Sequence, residues 1–353
     1  MKSFYKSLIV CILFFGVASP FVMADEPIII DHNSTDIAII PQAAIEQAKA
    51  NLHIAYGHTS HGSQLITGMN ELVPFANNGG LGMTLPDDIF QWNNGGLGGA
   101  LDLHDYAMAG DVGYYPAWVN NTRAYLNNAA NADVNVIIWS WCGQVSSMTE
   151  QKIIDNYLSP MTQLEQDYPD VTFVYMTGHA GGTGEAGNLH LRNQQIRNYC
   201  ITNNKVLYDF YDIEIYDPEG DYYGDKFVDD NCDYDSDGNG TRDANWAIAW
   251  QNSHTEGVDW YNCGSAHSKA LNANRKAYAA WWLWSVLSGW NPGIDLCPDD
   301  PDKVSPGICG CGISDIDTDA DGTPDCNEAD VDNDGTGSSG GGGGGCLIST
   351  INK

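Results

Sequence analysis

Basic residues are scarce in this chain: 15 Lys and Arg stand against 46 Asp and Glu, a formal net charge of -31 at pH 7. A surface this acidic repels a phosphate backbone, which argues against a nucleic-acid partner. Long apolar runs are missing beyond the N-terminus, so no stable membrane insertion of the mature chain is expected. No His-Glu-x-x-His string occurs, and with it goes the helix-borne signature of many zinc hydrolases. Aromatic residues, by contrast, are plentiful, with 11 Trp and 18 Tyr. They suit a packed core and an aromatic-lined cleft.

The N-terminus reads as an export signal. Lys2 and Lys6 precede the apolar run from Leu8 to Val22, and Val22-Met23-Ala24 supplies a small-residue cleavage point before Asp25. The run is shorter than the roughly 20 residues a spanning helix needs. Residues 1–24 are therefore expected to be a signal peptide, and the mature protein to be secreted or held at the cell surface. Removing Cys11 leaves nine of the ten cysteines in an oxidising compartment, where disulfides are the default. Cys297, Cys309, Cys311 and Cys326 are expected to staple the segment around them. Cys232 with Cys263, and Cys142 with Cys200, are further expected pairs, and Cys346 is the odd one out.

Residues 25–292 alternate strand-like and helix-like patterns. Leu52 to Tyr56 is a short apolar strand ending at Gly57, and Val134 to Trp141 is a nearly continuous apolar run of the buried parallel kind. Val171 to Met176 and Lys205 to Phe210 are two more. Helical patterns cover Thr149 to Tyr168, Leu191 to Thr202 and Asn272 to Leu287. Strands separated by helices predict an α/β domain, a three-layer α/β/α arrangement with a central parallel sheet. In such sheets the chemistry gathers at the carboxyl ends of the strands. Residues 293–335 form a separate acidic segment, and 336–353 a glycine-rich tail ending in Cys346-Leu-Ile-Ser-Thr-Ile-Asn-Lys353. That tail resembles the glycine-run-plus-cysteine box of some bacterial surface proteins, without their apolar span or basic end.

Asp295 to Asp334 holds 13 acidic residues and one base, Lys303. Such a segment stays open unless a cation neutralises it. Asp317, Asp319, Asp321 and Asp325 alternate around Gly322, and Asp330, Asp332 and Asp334 repeat the pattern before Gly335. Alternation turns oxygens inward in a curled loop, and calcium takes six to eight such oxygens at loose geometry. With the neighbouring cysteines, this segment resembles thrombospondin type 3 repeats, which implies disulfide-stapled spacers that depend on calcium. A third loop, with Asp233, Asp235, Asp237 and Asp243 around Gly238, resembles an EF-hand ligand loop whose terminal Glu is replaced; Asp243 is expected to fill that place. Structural Ca2+ is the expected cofactor.

Directly after the first apolar strand comes Gly57-His58-Thr59-Ser60-His61-Gly62-Ser63. A serine at a strand end, entering a helix, exposes its hydroxyl near the positive end of the helix dipole. Near the other end of the domain, Asp259 and His267 precede the last helix. Ser60 alone also fits a plain helix cap, and His267 a structural histidine. Taken as an ordered pair they favour a nucleophile and its base.

This order resembles the SGNH (GDSL-like) hydrolases over residues 50 to 290, although the Gly-Asp-Ser-Leu string itself is missing. The resemblance implies a three-layer fold and an esterase in which Ser60 attacks, His267 serves as base and Asp259 orients it. It implies an oxyanion site from Gly95, in Asn94-Gly95-Gly96-Leu97-Gly98, and Gln144 near the place of the family's asparagine. The family's acid three residues before the histidine is Gly264 here. Three alternatives stay open: a metal-dependent hydrolase using His58, His61 and His179; a dyad without Asp259; and a non-catalytic, calcium-stabilised glycan-binding protein on a degenerate scaffold. Trp92, Tyr114, Tyr115, Trp118, Trp139, Trp141, Trp246, Trp250 and Trp260 fall mostly in or beside strand-end loops, which makes an acetylated polysaccharide the expected substrate, with any single Trp also fitting the core.

Overall fold

A computed structural model describes residues 27–293, with Gly312, Ile313 and Cys326 beyond them. The chain divides into two compact units, Met1–Trp290 and Asn291–Lys353. In the first, seven strands form one sheet: β1 (Ile28–Ile30), β2 (His53–Gly57), β3 (Trp92–Asn93), β4 (Leu101–His104), β5 (Val136–Trp139), β6 (Thr172–Met176) and β7 (Val206–Tyr208). Their order is β1-β7-β6-β5-β2-β4-β3, and every pairing in it is parallel. The protein is thus α/β with a parallel central sheet.

The helices are α1 (Gln42–Asn51), α2 (Ser63–Asn77), α3 (Ala117–Leu126), α4 (Glu150–Ile153), α5 (Ser159–Asp167), α6 (Asn188–Thr202), α7 (Phe210–Glu214), α8 (Trp246–Ser253) and α9 (Ala270–Leu287). The single helix expected over 149–168 is split by a π-helical turn, Ile154–Leu158. Pro160 supplies the reason, since it has no N–H to continue the α-helical ladder. Helix α9 is buried along almost its whole length, its polar Asn272, Asn274, Arg275 and Lys276 included, the mark of a helix enclosed by other elements. It packs chiefly on α2 and α1. Gly68 makes the α2 crossing possible, because a Cβ there would strike the Ala273 carbonyl of α9.

The topology decides where a site can form. From β2 the chain crosses to β3 and β4 on one side, then returns to β5 on the other. Neighbouring connections that leave in opposite directions open a crevice at the carboxyl ends of β2 and β5. Outside the sheet, β8 (Asp233–Tyr234) and β9 (Ala244–Asn245) form a small antiparallel ladder that closes the acidic loop between them.

Two sets of expectations are corrected. Cys142, Cys200, Cys232 and Cys263 are free thiols. Cys200 is fully buried in the main core, whereas Cys142 lies past the carboxyl end of β5. Cys232 meets the Ser268 hydroxyl at 3.7 Å and Cys263 the Ala270 carbonyl at 3.7 Å, so neither expected pair faces its partner. Trp118, Trp139, Trp141, Trp246 and Trp260 are buried core residues, packed by edge-on contacts such as Trp118 on Trp139. They cannot stack on a sugar. In the second unit Cys326 is disulfide-bonded; Cys297, Cys309, Cys311 and Cys346 lie outside the described residues.

Candidate active site

The crevice at β2 and β5 collects side chains from distant parts of the chain. The turn after β2 brings Ser60 and His61, and the loop after β5 brings Cys142. The loop after β6 supplies His179, the segment before β8 supplies Asp230, and the turn into α9 supplies His267. The Ser60 hydroxyl lies 3.6 Å from the Cys142 thiol. That thiol lies 3.5 Å from His61 Nδ1, and His61 Nε2 is 3.0 Å from Asp230 Oδ2. A carboxylate on Nε2 fixes the proton there and leaves the Nδ1 lone pair facing sulfur. The line Cys142–His61–Asp230 sets a thiol, an imidazole and a carboxylate within reach of one another, the kinds of group that can act as nucleophile, base and orienting acid.

The electrostatics support the same reading. Burial works against a charged Cys142, but the Ser60 hydroxyl, His61 and the Gly143 N–H outweigh it and hold the thiol below its ordinary pKa. Burial also works against a charged His61, yet Asp230, Cys142 and Glu214 together raise its pKa above the ordinary value. Asp230 is likewise disfavoured by burial, and His61, with His179 and His267 nearby, pulls its pKa down. The three shifts share one meaning: the pair tends toward thiolate and imidazolium. The pH profile of Cys142 alkylation by iodoacetamide should consequently have its midpoint below the ordinary cysteine pKa. His61→Ala should push the midpoint of that profile upward, as intact-mass kinetics across pH would record.

His61 is the middle ring of a stack of three imidazoles. His179 lies against it with centroids 3.9 Å apart and planes 3° from parallel, and His267 covers the other side at 4.5 Å. His179 is held neutral, chiefly by burial, with Nδ1 against the Ala180 carbonyl at 2.5 Å. His61, His179 and Asp230 do offer ligand atoms within 4.8 Å of one another. A metal, however, binds imidazole in the ring plane, and two face-to-face parallel rings cannot both direct an in-plane lone pair at one ion. The ring geometry fits proton transfer better than metal ligation. His58 stands apart from the cluster, with Nε2 on Asp105 at 2.6 Å and its ring against Tyr106.

The sequence-predicted residues are distributed unevenly around this centre. Ser60 is in it, but its partner is Cys142, not an imidazole. His267 is exposed and touches His61 as a ring. Among the described residues no hydrogen bond joins Ser60 to His267 or His267 to Asp259. Asp259 instead accepts the Thr255 N–H at 2.8 Å within its own turn. Gly95 is committed elsewhere, its N–H donating to the buried Asp102 at 2.6 Å. Gln144 adjoins the centre, where its Oε1 accepts the Cys142 N–H at 3.1 Å. Its amide nitrogen donates no hydrogen bond among the described residues. Asp230 was missed, although Asp229-Asp230-Asn231-Cys232 is a polar knot just ahead of the acidic loop.

That acidic loop is itself ordered by its carboxylates. Asp235 is buried and accepts the N–H groups of Gly238, Asn239 and Gly240 at 2.8, 3.2 and 2.7 Å. Gly238 and Gly240 adopt φ of 79° and 88°, the left-handed region that glycine enters freely. Asp243 accepts the Ser236 N–H at 3.1 Å. Asp233 is drawn away, its oxygens held by Asn231 and Asn245 at 2.6 and 2.7 Å. Asp237 Oδ1 accepts the Asn239 N–H and Asn239 Oδ1 the Thr241 N–H, so the loop's oxygens are turned to its own backbone and no three of its carboxylates are gathered within 4.8 Å of one another. Asp317, Asp319, Asp321, Asp325, Asp330, Asp332 and Asp334 lie outside the described residues.

Comparison with family models, with curated proteins and with solved structures finds no match to this chain.

Proposed function

We propose that the protein is an exported acyl hydrolase that cleaves an ester, with Cys142 as nucleophile, His61 as base and Asp230 as the residue that orients His61. The observation that carries this reading is the continuous line from the Cys142 thiol through the His61 ring to the Asp230 carboxylate. His61 takes the thiol proton as sulfur attacks the ester carbonyl carbon. The carbonyl oxygen gathers charge, and the Ser60 hydroxyl and the Gln144 amide nitrogen, both beside Cys142, are the proposed donors to it. The C–O bond then breaks, and the leaving alcohol receives the proton from the His61 imidazolium. Water, deprotonated by His61, hydrolyses the thioester, releasing the acid and restoring the thiol. Turnover of p-nitrophenyl acetate by the full chain, lost in Asp230→Asn with the fold intact, is the direct test.

A second reading keeps Ser60 as the nucleophile with His267 as base, in the order that resembles the SGNH hydrolases and their three-layer α/β/α fold. It is favoured by the contact of His267 with His61, next to Ser60 in the chain. The two readings separate on the trapped acyl group, which sits on sulfur in one and on oxygen in the other.

The proposed substrate is an acylated carbohydrate. With most tryptophans in the core, the exposed rings near the crevice are Tyr106, Tyr114 and Tyr115. They lie on a segment tied to it by Thr59 on Asp111 at 3.1 Å, and Gly113 abuts Gln144. Flat exposed rings of this kind stack on sugars.

Calcium is proposed as a structural ion in the loop from Asp235 to Asp243, and in the acidic segment beyond residue 294. Bound there, it would neutralise carboxylates that otherwise repel one another. Adding calcium at a hundred times its Kd should stabilise the folded chain by about 2.7 kcal/mol for each site filled, and Asp237→Ala should remove the contribution of the internal loop. Thermal melts with calcium and with chelator would measure both.

A further inference from the structure

A buried ion pair lies directly beneath the crevice and takes no part in the chemistry above. Glu214, at the end of α7, and Lys276, in the middle of α9, are both fully buried, with Lys276 Nζ on Glu214 Oε1 at 2.5 Å. Burying two charges this deeply is costly unless each is fully partnered. The remaining bonds of the pair are therefore informative, and they run to the loops that carry the site.

Glu214 Oε2 accepts the N–H of Ala180 at 2.6 Å, the residue after His179. Lys276 also donates to Gln64 Oε1. Gln64 is buried on α2, and its own N–H bonds the His61 carbonyl at 3.1 Å. The Gln64 amide nitrogen in turn donates to the carbonyl of Ala266 at 2.5 Å, the residue before His267. On the far side, Asn272 bridges Glu214 at 3.3 Å and the Ser268 hydroxyl at 2.7 Å. Ser268 meets the Cys232 thiol at 3.7 Å, two residues past Asp230. One network thus reaches the backbone beside all three stacked histidines and the segment carrying Asp230.

We infer that the buried Glu214–Lys276 pair, with Gln64, is the positioning element of the active site, setting the register of the three-imidazole stack and so the aim of His61 at Cys142. The inference rests on the acyl-hydrolase reading for its consequence in turnover, but its geometry concerns only the loops. The charged and titratable groups facing His61 are Asp230, Cys142, His179, His267 and, from beneath, Glu214, and all are tied to this network or bonded to a neighbour that is. Glu214, Lys276 and Gln64 are positioning residues. None of them reaches the crevice surface.

The test uses the full chain carrying Glu214→Gln together with Lys276→Met, which removes both charges at similar volume, an exchange that buried pairs often tolerate. The fold should survive and KM should hold, while kcat for p-nitrophenyl acetate falls about 100-fold, as small misplacements of catalytic groups do. Independently of turnover, alkylation of Cys142 by iodoacetamide at about pH 6.5 should slow, and the His61 ring nitrogen resonances should shift. A folded double variant with unchanged kcat, alkylation and His61 resonances overturns the inference. If the native chain shows no turnover, yet the double variant still slows Cys142 alkylation, the network stands and only the acyl-hydrolase reading falls. Should the double variant not fold, Gln64→Leu keeps the ion pair and cuts the Ala266 tie; unchanged alkylation in that variant overturns the inference equally.

Discussion

Cys142→Ala is expected to lower kcat/KM for ester hydrolysis by at least about 1,000-fold, because losing the nucleophile removes the whole covalent route at once. Ser60→Ala should cost less, about 100-fold, the usual loss for one oxyanion donor. The contrast between the two variants carries the information. Cys142 is only half-buried and lies past the strand end, so neither substitution should change the melting temperature by more than a few degrees. Steady-state kinetics on both variants, each checked by thermal melt, would read the difference. The opposite ranking, with Ser60→Ala inactive and Cys142→Ala active, would assign the chemistry to the serine.

The largest stability effect is expected from Lys276→Ala. The substitution leaves the Glu214 carboxylate fully buried, with the Ala180 N–H and Asn272 as its remaining partners. Removing one member of a buried pair costs about 3–5 kcal/mol, and for a unit of this size that is roughly 6–20 °C in Tm. The loss should depend on pH with a definite sign. An unpaired buried carboxyl is disfavoured as an anion, so its folded pKa rises above the unfolded one. Protonation then favours the folded state: the deficit should shrink as pH falls and grow as pH rises through the raised pKa. Denaturant melts of native and variant chains between about pH 4 and 8 would show the two stability curves converging on the acid side.

Much of the fold can be read from the sequence because parallel buried strands leave a strong mark. Val134 to Trp141 and Val171 to Met176 are apolar on both faces, and both proved to be central strands. The edge strands β1 and β3 span three and two residues, too short for any period to register. In β4, Leu101-Asp102-Leu103-His104 puts polar side chains on a central sheet. Asp102 is partnered by His53 at 2.8 Å and His104 at 3.0 Å, a pairing that exists only in three dimensions.

The site was legible as a place more than as a set of roles. A parallel sheet directs attention to the loops after its strands, and Ser60, His61, Gln144 and His179 all lie there. The roles depend on which side chain faces which, and that is fixed by long-range contacts. Cys142 follows an apolar strand in a chain whose start reads as an export signal, so the sequence favours a disulfide; the fold leaves it facing an imidazole. Asp230 comes from an insertion between α7 and α8 that no periodic pattern ties to the sheet. The buried role of Lys276 is invisible for a related reason, since a lysine in the polar stretch Asn272 to Lys276 of that helix gives no hint of the carboxylate that meets it.

The most direct measurement is to trap the acyl intermediate on the native chain. Calcium-loaded protein is mixed with p-nitrophenyl acetate, quenched in acid within one turnover, digested and mapped by mass spectrometry. One acetyl group on the peptide carrying Cys142, released by hydroxylamine and missing from Cys142→Ala, is the expected result. An acetyl group on Ser60, or steady turnover with Cys142 never acylated, would contradict the assignment of Cys142, His61 and Asp230.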